Sequence, residues 1–141
     1  MTGRVTALPD HPNIELAVRY HEAVAAGATG EDLARFFHPD AVHRELPNAL
    51  LPNGATRDLA GILAAAERGQ QVIREQHFDI HRAVATGEDV ALEVTWTGTL
   101  AVALGALEPG AQLRAEIATF LTIRDGLIAE QRNYDCYVTK F

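Results

Sequence analysis

LRAEIATFLTIRDGLIAEQRNYDCY, running from Leu113 to Tyr137, reads as two β-strands joined at Asp125-Gly126. Asp-Gly between alternating apolar residues is a strong hairpin signal, because this pair suits the positive φ of a tight turn. A three-residue loop, Arg124-Asp125-Gly126 with Gly126 at positive φ, pairs Ile123 with Leu127. Thr119 then faces Gln131, Ile117 faces Asn133 and Ala115 faces Asp135. Side chains alternate faces along a strand. One face therefore carries Leu113, Ala115, Ile117, Thr119, Leu121 and Ile123 beside Leu127, Ala129, Gln131, Asn133 and Asp135. It is apolar near the turn and polar far from it. Such a gradient fits a sheet curled around a small-molecule pocket better than a dry core. A half-solvated sheet edge is the alternative.

The rest of the chain frames this hairpin. At 141 residues it is long enough to bury a core in one domain. Its net charge of -7 argues against nucleic acid and against an anionic membrane surface, both of which call for a Lys/Arg face. No apolar run reaches membrane-spanning length. The first residues, MTGRVTALPDHPN, lack the apolar centre and cleavage site of a signal peptide. The single cysteine, Cys136, cannot form an internal disulfide and reads as a packed strand residue. A cytoplasmic setting is the default expectation.

Residues 1–12 read as a flexible N-terminal arm, since Pro9 and Pro12 discourage regular structure, and residues 13–141 read as the domain. Asn13 can cap a helix from Ile14 to about Ala26, with Ile14, Ala17, His21 and Val24 in one stripe and Gly27 as its stop. Thr29 opens a short second helix that buries Leu33, Phe36 and Phe37 and breaks at His38-Pro39-Asp40. Ala41 to Leu46 is a short strand with Ala41, His43 and Glu45 on one face. A loop follows to Ala55. Thr56 or Asp58 then caps a third helix from Leu59 to about Gln70. Strands follow at Val72 to Val84 and Val90 to Leu100, the latter alternating Val90, Leu92, Val94 and Trp96 with polar positions. Ala101 to Ala111 either extends the strands or forms an apolar loop. Helices gathered on one side of a mainly antiparallel sheet make an α+β domain.

Arg19-Tyr20-His21-Glu22-Ala23-Val24, the segment Leu33 to Phe37, His38-Pro39-Asp40-Ala41-Val42 and the closing Ile123 to Glu130 together resemble the SnoaL-like and ketosteroid-isomerase-like branch of the NTF2-like superfamily. The resemblance covers the chain from Ile14 onward. It implies a cone: a curved sheet wrapped by three N-terminal-half helices around a pocket. It also implies a homodimer formed through the outer sheet face. The fold hosts isomerases, dehydratases, cyclases, hydrolases and non-catalytic modules, so function must be argued from the site.

The resemblance places Tyr20 where ketosteroid isomerases carry an oxyanion-binding tyrosine, and Glu45 where they carry their general base. It places Thr119 where those isomerases have a protonated aspartic acid and SnoaL-type cyclases a histidine. Asn133 stands where the cyclases have their catalytic aspartate. Neither Thr119 nor Asn133 can accept a proton near neutrality. Asp135 shares the predicted inner face and can serve as an alternative base opposite Glu45; two carboxylates in one pocket repel, which keeps one protonated. His43 lies on the strand face of Glu45. Trp96 falls on an inner face and Gln131 lies between Thr119 and Asn133 in the polar row. The expected catalytic set is Tyr20, Glu45 and Asp135, and the expected substrate-binding set is His43, Trp96, Thr119, Gln131 and Asn133. Six histidines are present, but their spacing makes no metal site, and no cofactor motif appears. The expected activity is cofactor-free proton transfer on an apolar or aromatic small molecule, as an isomerase, lyase, cyclase or hydrolase. The rival readings are a ligand binder without turnover and an assembly module, ranked last because Arg114, Glu116, Thr122, Glu130 and Arg132 make the sheet exterior polar.

Overall fold

The computed structural model describes residues 8–141, so most of the expected arm, residues 1–12, lies outside the described residues. The elements are α1 Pro12–Ala25, α2 Gly30–Ala34, β1 Phe37–Glu45, β2 Ala55–Arg57, α3 Leu59–Val72, β3 Ile73–Thr86, β4 Asp89–Leu100, β5 Gln112–Arg124 and β6 Leu127–Tyr137. The strands form one sheet in the order β2-β1-β6-β5-β4-β3. Every pairing is antiparallel except β1 with β6. β2 and β3 are opposite edges, so α3, which joins them, has to cross the sheet, and it packs on β1, β2 and β3. α1 packs on β3 and β4. Bulges between Ile80 and Arg82 and between Thr122 and Ile123 bend the sheet around these helices. This is the α+β architecture expected. Among the described residues no helix is long and apolar enough to cross a membrane.

Local chemistry explains where the boundaries differ from expectation. Pro12, not Ile14, opens α1, because a proline's fixed φ and missing N–H suit the first helical turn. The cap is consequently His11, whose Nδ1 accepts the Asn13 N–H at 3.1 Å, rather than Asn13. Asp58 caps α3 by accepting the Gly61 N–H at 2.8 Å. α2 stops before Phe36, and β1 begins at Phe37 rather than Ala41. Pro39 falls in the register break between Phe37 and Val42, where the ladder does not need its absent N–H. Ala55–Arg57, read as loop and helix cap, is a strand that pairs His43 with Arg57 and Glu45 with Ala55.

The closing hairpin corrects the expected register. Asp125 and Gly126 both have positive φ, 55° and 73°, and Arg124 pairs with Leu127, which makes a two-residue turn instead of three. The bulge beyond it then sets Thr119 opposite Asn133, Ile117 opposite Asp135 and Leu121 opposite Gln131. The net displacement from the expected pairing is two residues. Strand periodicity is also two, so Gln131, Asn133 and Asp135 keep the inner face. Between the turn and the bulge the faces change: Ile128, expected outside, is fully buried opposite Ile123, and Leu127, expected inside, lies opposite exposed Arg124 and is only partly buried.

One apolar cluster joins Ile14, Leu33, Phe36 and Ile62 from the helical half to Leu92, Val94, Leu121 and Ile128 on the sheet. A second gathers Trp96, Leu100, Leu113 and Ala115, with Tyr137, Leu104 and Leu107 against it, so the 101–111 segment is an apolar loop. Gly98 makes room for the indole, since a Cβ there would stand 2.6 Å from the Trp96 ring. Cys136 lies on the outer face of β6 and is exposed, not packed as expected.

Candidate functional site

Consecutive inward positions on β6 carry a one-way chain of hydrogen bonds. Tyr20, from the buried stripe of α1, donates its hydroxyl to Gln131 Oε1 at 2.8 Å. Gln131 Nε2 donates to Asn133 Oδ1 at 2.9 Å, and Asn133 Nδ2 donates to Asp135 Oδ1 at 3.4 Å. Burial pushes the Tyr20 phenol up to about 12, against the lowering effect of its bond to Gln131. Tyr20 is therefore a neutral phenol with its only proton already committed.

A charged cluster faces the end of this chain. The pairing of β1 with β2 sets Arg57 opposite His43, and the pairing of β1 with β6 sets Glu45 opposite Asn133. Arg57 Nη1 lies 3.3 Å from Glu45 Oε1 and 3.4 Å from His43 Nδ1. Asn48 donates to the other Glu45 oxygen at 3.0 Å. Both Glu45 oxygens thus have partners. Asp135 is half-buried and pairs with no Lys, Arg or His among the described residues. Burial, and then the charge of Glu45, push its carboxyl up to about 6, partly offset by the Asn133 bond. Burial and the Arg57 charge push His43 down to about 4, so it stands beside Arg57 as a neutral acceptor. Burial and the charges of Asp135 and Glu45 raise the Tyr137 phenol.

The structure therefore brings Glu45, His43, Asn133 and Asp135 into one cluster at the far end of the sheet, with Gln131 and Tyr20 linked to it from deeper inside. Thr119 is 1% exposed, lies opposite Asn133 and has a hydroxyl without a hydrogen-bond partner among the described residues. Trp96 sits apart in the second apolar cluster, where its indole donates to Gln76 Oε1 at 2.9 Å and meets Tyr137 edge-on. Three members were missed: Arg57, Asn48 and Tyr137. Tyr137 had a signal, since it is the next inward position after Asp135. Among the described residues no three His, Cys, Asp or Glu side chains gather as metal ligands would.

The outer sheet face differs from the polar surface expected. Arg114 pairs with Glu116 and Arg132 with Glu130, but Val42, Val84, Phe120 and Tyr134 are exposed among them. An open groove of about 430 Å³ runs past Val84, Ala91, Phe120 and Arg132.

Solved structures place this arrangement among known folds. Wild-type IdmH from Streptomyces antibioticus, a candidate polyketide cyclase, is 25% identical, with a TM-score of 0.74 over 89% of this chain and 92% of that one. A ketosteroid isomerase-like protein from Catenulispora acidiphila, in complex with trimethylamine, is 21% identical, with a TM-score of 0.68 over 91% and 86%. TerC, co-crystallised with polyporic acid, is 18% identical, with a TM-score of 0.69 over 89% and 92%. The last two show the shared fold. A comparison with curated proteins gave no match. The model of the SnoaL-like domain matches residues 17–131, most of the chain, and the protein belongs to the SnoaL-like family.

Proposed function

We propose that this protein binds an apolar or aromatic small molecule against the inner face of its sheet and catalyses cofactor-free proton transfer at a carbon beside a carbonyl, with Asp135 as proton carrier. The observation that carries this reading is the Asp135 carboxyl, half-buried, without a cation among the described residues, beside Glu45 and pushed up to about 6. Such a group is ionised in neutral water yet more basic than a free carboxylate, which suits a general base. The carboxylate takes the proton, the C–H electron pair moves into the carbonyl to give an enolate, and the same carboxyl returns a proton to carbon. The unpartnered Thr119 hydroxyl and the Asn133 amide are the donors available to the enolate oxygen. Tyr20, with its proton on Gln131, orients the amide chain. Glu45, held at both oxygens, supplies fixed charge. His43 and Gln131 complete the polar end, and Trp96 stands in the second apolar cluster, edge-on to Tyr137. The polyporic acid co-crystallised with TerC and the polyketide-cyclase description of IdmH support a small-molecule ligand. The exposed Val84, Phe120 and Tyr134 support a homodimer through the outer face.

Solvent-deuterium exchange into the α-carbons of 2-tetralone, a bicyclic aromatic ketone, tests the reading by NMR. The wild type should accelerate exchange, and Asp135→Asn should remove roughly 10²–10⁴-fold of that rate. An Asp135→Asn variant as fast as the wild type would refute the assignment. The committed Tyr20 proton and the paired Glu45 favour a second reading, ligand binding without turnover. It predicts 2-tetralone binding with no exchange in any variant.

A further inference from the structure

Two carboxylates share the far end of the sheet in unequal surroundings. Glu45 is clamped: Arg57 lies 3.3 Å from one oxygen and Asn48 donates to the other at 3.0 Å. Asn48 is itself fixed, since its Oδ1 accepts the Leu50 and Leu51 amides at 2.9 Å each. Asp135 has one long contact, the Asn133 amide at 3.4 Å. The titratable groups acting on or beside Asp135 are Glu45 from β1 and Tyr137 from β6, while Arg57 from β2 and His43 from β1 meet each other, with Arg57 reaching Glu45. The β5 residue opposite Asp135, Ile117, is apolar. Arg57 is therefore the cation of the cluster, since His43 accepts from it as a neutral ring.

We propose that Arg57 decides which of the two carboxylates carries the mobile proton: by pinning Glu45 as the anion, it leaves Asp135 as the exchanging acid. This inference rests on Asp135 being the proton carrier. Arg57 touches no reacting atom in this scheme and is a positioning residue. The physical basis is the coupling of two like charges. When one carboxylate of a facing pair holds a cation and an amide, ionisation goes there first and the neighbour keeps its proton longer. Without the cation the pair is more nearly symmetrical, and its protonation steps belong to both groups at once. A three-residue strand, β2, exists in the right register to deliver that cation.

Carboxyl-carbon NMR titration of the intact chain from acid to neutral pH tests this directly. In the wild type the step near 6 should move the Asp135 carbon and leave the Glu45 carbon still. In Arg57→Gln the same step should move both carbons, and Arg57→Lys should restore the separation. An Asp135-only step at an unchanged position in Arg57→Gln overturns the proposal. If Arg57→Gln does not fold, Glu45→Gln tests the same coupling. Removing the neighbouring charge should lower the Asp135 step below about 6 while burial still holds it above the free value, and an unmoved step overturns the proposal. The titration needs neither ligand nor turnover. Absent exchange in the wild type would therefore refute the catalytic reading alone, and an unaltered Arg57→Gln titration would refute this inference alone.

Discussion

The two ends of the β5–β6 inner face are built from the same strands with the same alternation, yet they do opposite things. Near the Asp125-Gly126 turn, Leu121, Ile123 and Ile128 are at most 2% exposed and join the helices in a dry core. Five to nine residues beyond Ile128, Asn133, Asp135 and Tyr137 take the inward positions, half-buried, with Asp135 and Tyr137 feeling the charge of Glu45. Thr119 and Gln131, both buried, mark the change. Period-two patterning says which side chains point inward; it does not say whether the interior they meet is apolar or polar. Stability belongs to one end and titration chemistry to the other.

The largest effect that sharpens this division is a core truncation. Leu121→Ala should cost about 2–5 kcal/mol in urea denaturation, whereas Asn133→Ala should cost about 1 kcal/mol. Equal losses would erase the distinction. At the boundary, Tyr20→Phe leaves the buried Gln131 Oε1 without its donor and should cost about 1–3 kcal/mol. A neutral result would show that the amide chain does not hold that end together.

The smallest effect is in pH dependence. Asp135 is raised from 3.8 to about 6, so the folded chain holds that proton more tightly and stability falls as pH rises through this window. His43 is lowered from 6.5 to about 4, so there the unfolded chain holds the proton and stability climbs as pH rises. The two slopes oppose each other in the wild type. Asp135→Asn removes the falling one, and its stability should climb more steeply between about 4 and 6 than the wild type's. Parallel curves would mean that Asp135 is not raised by folding.

Much of this was legible before the structure because alternation tolerates error. The turn at Asp125-Gly126 was read with one residue too many, but the actual register differs by an even number, so Gln131, Asn133 and Asp135 stayed inside. The bulge was not legible, and Ile128 was assigned outside because alternation assumes an unbroken ladder. Arg57 was invisible for a different reason: a strand of three residues has no period to detect, and its importance comes from pairing with β1. The direction of the Tyr20 hydrogen bond depends on a partner 111 positions away, which no local pattern encodes.

If Asp135 is the proton carrier of a ligand site, its own titration must show it. Carboxyl-carbon NMR of the wild type should give a midpoint near 6 that moves when 2-naphthol, a planar enolate mimic, is added. A midpoint near 3.8 that ignores the ligand would contradict the account.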